Sequence, residues 1–199
     1  MKRYLPLAAL LALPILAGCG GTKVKRVDTG QVIDISGRWN DTDSRLTAEE
    51  MIKDCLARPW IGEAAAATGA KPSVIVGTVR NLSSEHINAN VFVEDLQRSL
   101  INSARVIFVA SKDERGELRD ERLEQSTNAS EETKKAHGRE IGADFMLSGS
   151  INTIEDKEGG KSVILYQVDL KLLDVKTNQI SWSGQKKIKK YIKRSGSTF

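Results

Sequence analysis

The chain has 199 residues, 40% hydrophobic, 28% charged and 5% aromatic, with 30 basic side chains against 26 acidic ones. That length supports one substantial core and leaves two full domains cramped. The near balance of charge argues against a dedicated nucleic-acid protein, and two cysteines are too few for a disulfide framework.

Residues 1–18 open on Met1-Lys2-Arg3-Tyr4, continue as an apolar run from Leu5 to Leu16, and end on small residues. This is the layout of a secretory signal peptide. Leu16-Ala17-Gly18-Cys19 resembles the bacterial lipobox, in which the cysteine is acylated and becomes the first mature residue. Each buried methylene contributes about 0.8 kcal/mol, so the two or three chains of a lipoprotein cysteine anchor a protein firmly where one would not. Gly20, rather than Asp, follows the cysteine. By resemblance to Gram-negative lipoproteins this favours the outer membrane, with the body facing the periplasm.

Residues 20–34 lack periodicity and read as a tether, reaching at most about 50 Å when extended. Residues 33–40 suit a short edge strand ending in a turn. Asp41 or Asp43, or a second start at Thr47, then caps a helix that carries Ala48, Met51, Ile52, Cys55 and Leu56 on one face. Pro59 ends that run, and a short helical piece follows up to Gly69. Residues 73–80 are β-rich and predict a buried strand. Asn88 or Asn90 caps a helix with Phe92, Leu96 and Leu100 inward, and residues 106–110 form a second buried strand, parallel to the first. Residues 112–140 are very polar and predict two surface helices, the second capped by Ser130 and closed by Gly142. Residues 145–154 make a third strand, Glu158-Gly159-Gly160-Lys161 a hairpin turn, and residues 163–175 a long return strand. The last strand alternates, with Ile180, Trp182, Gly184, Ile188 and Ile192 on one face and Ser181, Ser183, Gln185, Lys187, Lys189 and Lys193 on the other. The expected fold is α/β: one domain with a mixed sheet of about four to five strands flanked by helices and open to water on one side.

Residues that would carry chemistry are sparse. His86 and His137 have no second metal ligand at motif spacing, and no HExxH, GxSxG, CxxC or phosphate-binding glycine loop occurs. Ser183-Gly184-Gln185-Lys186 matches an SxxK pattern, but on a strand positions i and i+3 face opposite ways. The carboxylates fall among Lys and Arg on polar helix faces, where solvation accounts for them. Cys55 reads as a buried small hydrophobe. These residues predict no catalytic group, metal, cofactor or small-molecule substrate. Trp60 is expected in the core. Trp39, with Arg38 and Asp41 beside it, has the residue types favoured at binding hot spots, and these three are the candidate partner-binding residues, with Trp39 equally suited to closing an edge of the core. The lysines that crowd the C-terminus suit a solvated strand face, or contact with an acidic partner, lipid headgroups or cell-wall polymer.

Several segments taken together resemble one family. They are Ser36-Gly37-Arg38-Trp39-Asn40-Asp41, Ala48-Glu49-Glu50-Met51-Ile52, Arg58-Pro59-Trp60-Ile61, Val76-Gly77-Thr78-Val79-Arg80-Asn81, residues 142–151, and residues 172–184. Their order is similar to that in the penicillin-binding protein activator lipoproteins of the LpoB type. The resemblance implies a non-enzymatic outer-membrane lipoprotein that binds and stimulates a bifunctional, class A penicillin-binding protein in peptidoglycan synthesis. It also implies a fold similar to the TolB N-terminal domain. The long Pro-rich tether of the best-known family member has no counterpart in residues 20–34, which are few and contain no proline. The alternative is an outer-membrane assembly or secretion lipoprotein of a CsgG-like group, against which stand Asp169 and Lys171 in the middle of the longest strand. The expected organisation is a signal peptide at 1–18, lipidated Cys19 and tether at 19–34, an LpoB-like domain at 35–194, and a tail at 195–199.

Overall fold

A computed structural model describes residues 22–128 and 140–194. The signal peptide, Cys19, most of the second surface helix with Ser130, His137, and the tail at 195–199 lie outside the described residues. Residues 22–31 carry no helix or strand; their one ordered feature is a turn in which Gly30 N donates to Asp28 Oδ1 at 2.7 Å. The compact unit runs from Val32.

Its five-stranded sheet has the order β2-β1-β3-β4-β5. Strand β1 is Ser73–Asn81, β2 Ile107–Phe108, β3 Phe145–Glu158, β4 Lys161–Asp174 and β5 Ile180–Lys193. β1 pairs in parallel with both β2 and β3, and β3, β4 and β5 form an antiparallel meander. The mixed α/β architecture expected from the sequence is the one observed. The β3–β4 turn uses Gly159 and Gly160, both at positive φ (53° and 75°), as a two-residue hairpin between long twisted strands requires.

Helix α1, Asp41–Leu56, and helix α3, Ala89–Asn102, pack on each other and on one face of the sheet. The core lies between: Ala48, Met51, Ile52 and Cys55 of α1, Phe92, Leu96 and Leu100 of α3, and Val74, Leu147, Ile151, Val168 and Leu170 of the strands. The α1 start is a capping box. Asn40 Oδ1 accepts from Asp43 N, and Asp43 Oδ2 accepts from Asn40 N, both at 3.0 Å. Asn40, not Asp41 or Asp43, is therefore the cap, while Asn88 caps α3 as one of the two expected candidates. Helix α2, Trp60–Thr68, begins after Pro59 and buries Trp60, whose ring lies 4.9 Å from that of Phe145. Helix α4, Lys112–Asn128, buries no residue, and Arg119 and Arg122 both reach Glu140.

Two expected strands also change. Residues 33–40 form no strand, because Asp34 Oδ1 and Ser36 Oγ take the backbone N–H groups of Gly37 and Arg38 at 2.8 and 3.2 Å. Those local bonds hold the chain in turns. The second strand shortens to Ile107–Phe108, although Ile107 N and Val109 N still donate to Pro72 O and Val74 O.

Candidate functional site

The face of the sheet opposite α1 and α3 is open, and its residues follow from the register. Ser148, Ser150, Asn152, Ile154 and Asp156 of β3 stand there. So do Val163, Leu165, Gln167, Asp169 and Lys171 of β4, and the odd-numbered residues 183–193 of β5. β1 joins this face through a bulge. Val76 pairs with Leu147 and Val79 with Gly149, so Gly77 and Thr78 together oppose Ser148 alone. Before the bulge Val74 and Val76 are buried; after it Val79 is buried and Arg80 is exposed. The extra residue reverses the alternation and turns Arg80 outward.

The open face has two different halves. Towards the β3–β4 turn the pairings Ile154–Leu165–Lys189 and Asp156–Val163–Tyr191 place four apolar or aromatic side chains together. Ile154 is 70% and Tyr191 62% exposed, and β5 borders them with Lys187, Lys189 and Lys193 and no acid. Large exposed apolar side chains gathered within a polar rim mark interaction surfaces. The other half is a polar depression of about 730 Å³ lined by Thr78, Arg80, Ser148, Ser150, Lys171 and Ser183.

The three candidate partner-binding residues lie at the entrance to α1. Trp39 is half-buried. Its ring meets Phe92 edge-on at 6.3 Å and Tyr166 at 5.5 Å, and its Nε1 donates to Ser44 Oγ at 2.9 Å. Arg38 pairs with Glu85 at 3.3 Å and stays 44% exposed. Asp41 is exposed in the first turn of α1. Arg38 lines a depression on the helix side of the β3–β4 turn, together with Glu155, Lys161 and Ile192. Sequence reasoning missed what holds this segment. Fully buried Tyr166 donates to Glu85 Oε1 at 2.7 Å and accepts from Trp39 N at 3.0 Å. Burial, then the neighbouring Glu85 carboxylate, pushes the Tyr166 phenol well above its ordinary value. Lys190 donates to Asp34 at 2.9 Å, Asp43 at 2.6 Å and the Arg38 carbonyl at 2.9 Å.

The remaining candidates have structural surroundings. Cys55 is buried, and burial pushes its thiol up to about 12. His86 is exposed. Ser183 faces the open side of β5, whereas Lys186 faces α1 and pairs with Glu50. Among the described residues no three His, Cys, Asp or Glu side chains are grouped to hold a metal, and no helix is long and apolar enough to cross a membrane.

The family model for the peptidoglycan-synthase activator LpoB matches residues 43–188. No curated protein sequence matches the chain. Among solved structures, the LpoB C-terminal domain from Salmonella enterica is 21% identical, with 65% of this chain and 93% of that chain covered and a TM-score of 0.33. The NMR structure of E. coli LpoB is 16% identical, covering 96% and 88%, with a TM-score of 0.38. Lipoprotein GNA1162 from Neisseria meningitidis is 16% identical, covering 63% and 88%, with a TM-score of 0.39. The family match takes in α1, the whole parallel unit and most of the meander, and on that extent the chain belongs to the LpoB family of peptidoglycan-synthase activators.

Proposed function

We propose that this chain is an outer-membrane lipoprotein, anchored through acylated Cys19 and facing the periplasm. There it binds a class A penicillin-binding protein and stimulates its peptidoglycan synthesis without catalysing a step itself. The family match over residues 43–188 carries this reading. The docking surface we assign is the β3–β4 turn and the adjoining half of the open face. Tyr191, Ile154, Val163 and Leu165 supply an apolar centre, and Lys187, Lys189 and Lys193 a basic rim. Aromatic anchors inside a polar border are the usual composition of a binding hot spot. The occupant that fits is an acidic accessory domain of the synthase, since Lys161, Lys187, Lys189 and Lys193 outnumber Asp156 and Glu158 on this half of the face. Arg38, held by Glu85 on the helix side of the same turn, extends the proposed contact, and Trp39 and Asp41 at the entrance to α1 complete the proposed set. These lysines also keep the free edge of β5 from pairing with other copies.

The test uses the mature chain carrying Cys19→Ser and a purified class A penicillin-binding protein from the same organism. Direct binding and faster glycan polymerisation are expected. Tyr191→Ala should weaken binding by about thirtyfold, as a central aromatic hot spot of about 2 kcal/mol does. Absence of binding, together with an unchanged polymerisation rate, counts against the reading. Intact mass of the membrane-derived protein checks the anchor separately, and an unmodified Cys19 removes it.

A further inference from the structure

We propose that the polar half of the open face is a binding site for a carboxylate-bearing peptide or glycopeptide, the chemistry that peptidoglycan stem peptides present. Only the choice of that polymer rests on the cell-wall role above; the site itself stands on geometry.

The register places Arg80 beside Ser150 on one side of β3, and Lys171 beside Ser148 on the other. Strands lie about 4.8 Å apart, so the two cations flank β3 roughly 10–12 Å apart at the backbone. Both side chains are long enough to bend inward over that gap. Ser148 and Ser150 lie between them, Ser183 faces Lys171 across β4–β5, and Thr78 projects from the bulge. Among the described residues neither Arg80 nor Lys171 forms an ion pair, and the hydroxyls of Thr78, Ser148 and Ser183 are held by no other side chain or backbone group.

The nearest acid does not answer these charges. Asp169 accepts from Gln167 Nε2 through Oδ2 and from Gln185 Nε2 through Oδ1, each at 2.8 Å. Asp169 lines the depression and keeps its charge, but its two oxygens accept from glutamine amides and not from Arg80 or Lys171, so two cations stand against one anion and the balance is positive. A guanidinium is the side chain best matched to a carboxylate, because its fork makes two parallel charge-assisted bonds.

The lining also selects the size and class of ligand. A volume of about 730 Å³ falls within the ordinary range for small-molecule sites. Its apolar lining consists of Leu82 and Met146, with no aromatic residue. It therefore lacks the anchor of a protein hot spot, which the neighbouring Tyr191 half possesses. Hydroxyls that both donate and accept, set between two cations, suit a chain of amides and hydroxyls ending in a carboxylate.

The bulge strengthens the assignment. A regular β1 would direct Arg80 towards α3 and leave this depression with one cation. The inserted residue re-aims the guanidinium to the one place on the sheet where hydroxyls are gathered.

The experiment is an NMR titration of the mature ¹⁵N-labelled chain with Cys19→Ser, without any synthase. The probes are a soluble disaccharide-tetrapeptide, the same molecule with its carboxyls amidated, and inorganic phosphate. Saturable shifts are expected at Thr78, Arg80, Ser148, Ser150 and Lys171 with the free acid. Amidation or Arg80→Ala should each weaken binding at least about tenfold, with Arg80→Lys intermediate. Tyr191→Ala should leave this binding unchanged, which separates the site from synthase docking. The proposal is overturned by any of four results: no saturable shift, equal binding of acid and amide, equal binding of phosphate, or full binding by a folded Arg80→Ala variant.

Discussion

Lys190 stands on the helix side of β5, at the same parity as Trp182 and Ile188, and is only 10% exposed. Burial alone would depress its ammonium, yet Asp34 and Asp43 overcome that and hold its pKa above the ordinary value. Lys190→Met therefore leaves two carboxylates facing each other without their cation. Exposed pairs contribute under about 1 kcal/mol, and breaking a fully buried one costs about 3–5 kcal/mol. A part-buried hub with two partners belongs between, at about 2 kcal/mol, read as a lower urea midpoint. Lys187→Met, on the open face, should change the unfolding free energy by less than about 0.5 kcal/mol. Equal effects from the two would remove the clamp from the account. Cys55 gives a second residue-scale expectation. With its thiol pushed up to about 12 by burial, it should resist a thiol reagent at pH 8 in the folded chain and react at once in urea. Rapid labelling without denaturant would contradict that burial.

Among the elements, β1 shows what local composition can and cannot reveal. Val74, Val76 and Val79 break the two-residue period at Gly77, and an isolated glycine within a strand pattern signals a bulge. Deleting Thr78 should restore the period and drive the Arg80 guanidinium into the layer occupied by Phe92 and Leu96. The expected result is loss of the cooperative urea transition, whereas Thr78→Ala, which keeps the residue count, should unfold normally. A stable deletion variant would show that the bulge does not set the face of Arg80. Most of the other elements were legible because their apolar spacing is local: Phe92, Leu96 and Leu100 at helical intervals, and the long alternation of β5. Residues 33–40 were misread because Ile33 and Ile35 alternate as in a strand, while Asp34 and Ser36 compete for the backbone through their side chains. The Glu85–Tyr166–Trp39 contact was not legible, since it joins a loop, a strand and the approach to α1 across 81 and 127 positions. Lys186 and Lys190 were grouped with the solvated lysines by composition, although parity alone puts them on the helix side. Of the open face, the basic β5 stripe was visible in the sequence. The depression around Arg80 was not, because it needs the β1–β3–β4 register.

For the whole molecule the same contacts set a pH range. The Lys190 hydrogen bond holds the Asp34 carboxyl below its ordinary value of 3.8, and the Trp182 indole, at 2.9 Å, does the same for Asp54 with help from Arg58. Glu114, Glu140 and Asp174 are lowered too, through Ser111, Arg119 and Thr177. Among the described carboxyls only Asp95 moves the other way, raised by burial. A carboxyl that titrates lower when folded leaves the unfolded chain binding more protons in the interval between its two values. Stability from such groups is complete above the ordinary carboxylate range and is lost as the pH falls through the folded values. Five lowered groups against one raised group make the net effect acid-labile. Lys190, raised when folded, contributes fully below 10.5 and loses that contribution as the pH climbs through its folded value. The urea midpoint should be nearly flat from about pH 5 to 9 and fall below about pH 4. In Lys190→Met the acid limb should be shallower, because Asp34 no longer gains from ionisation. High salt should flatten the share owed to the exposed Arg119–Glu140 pair while sparing that of the part-buried Lys190 clamp and of Asp174, which backbone N–H groups hold. A midpoint unchanged between pH 7 and pH 3 would mean that these carboxylates do not stabilise the fold through their partners.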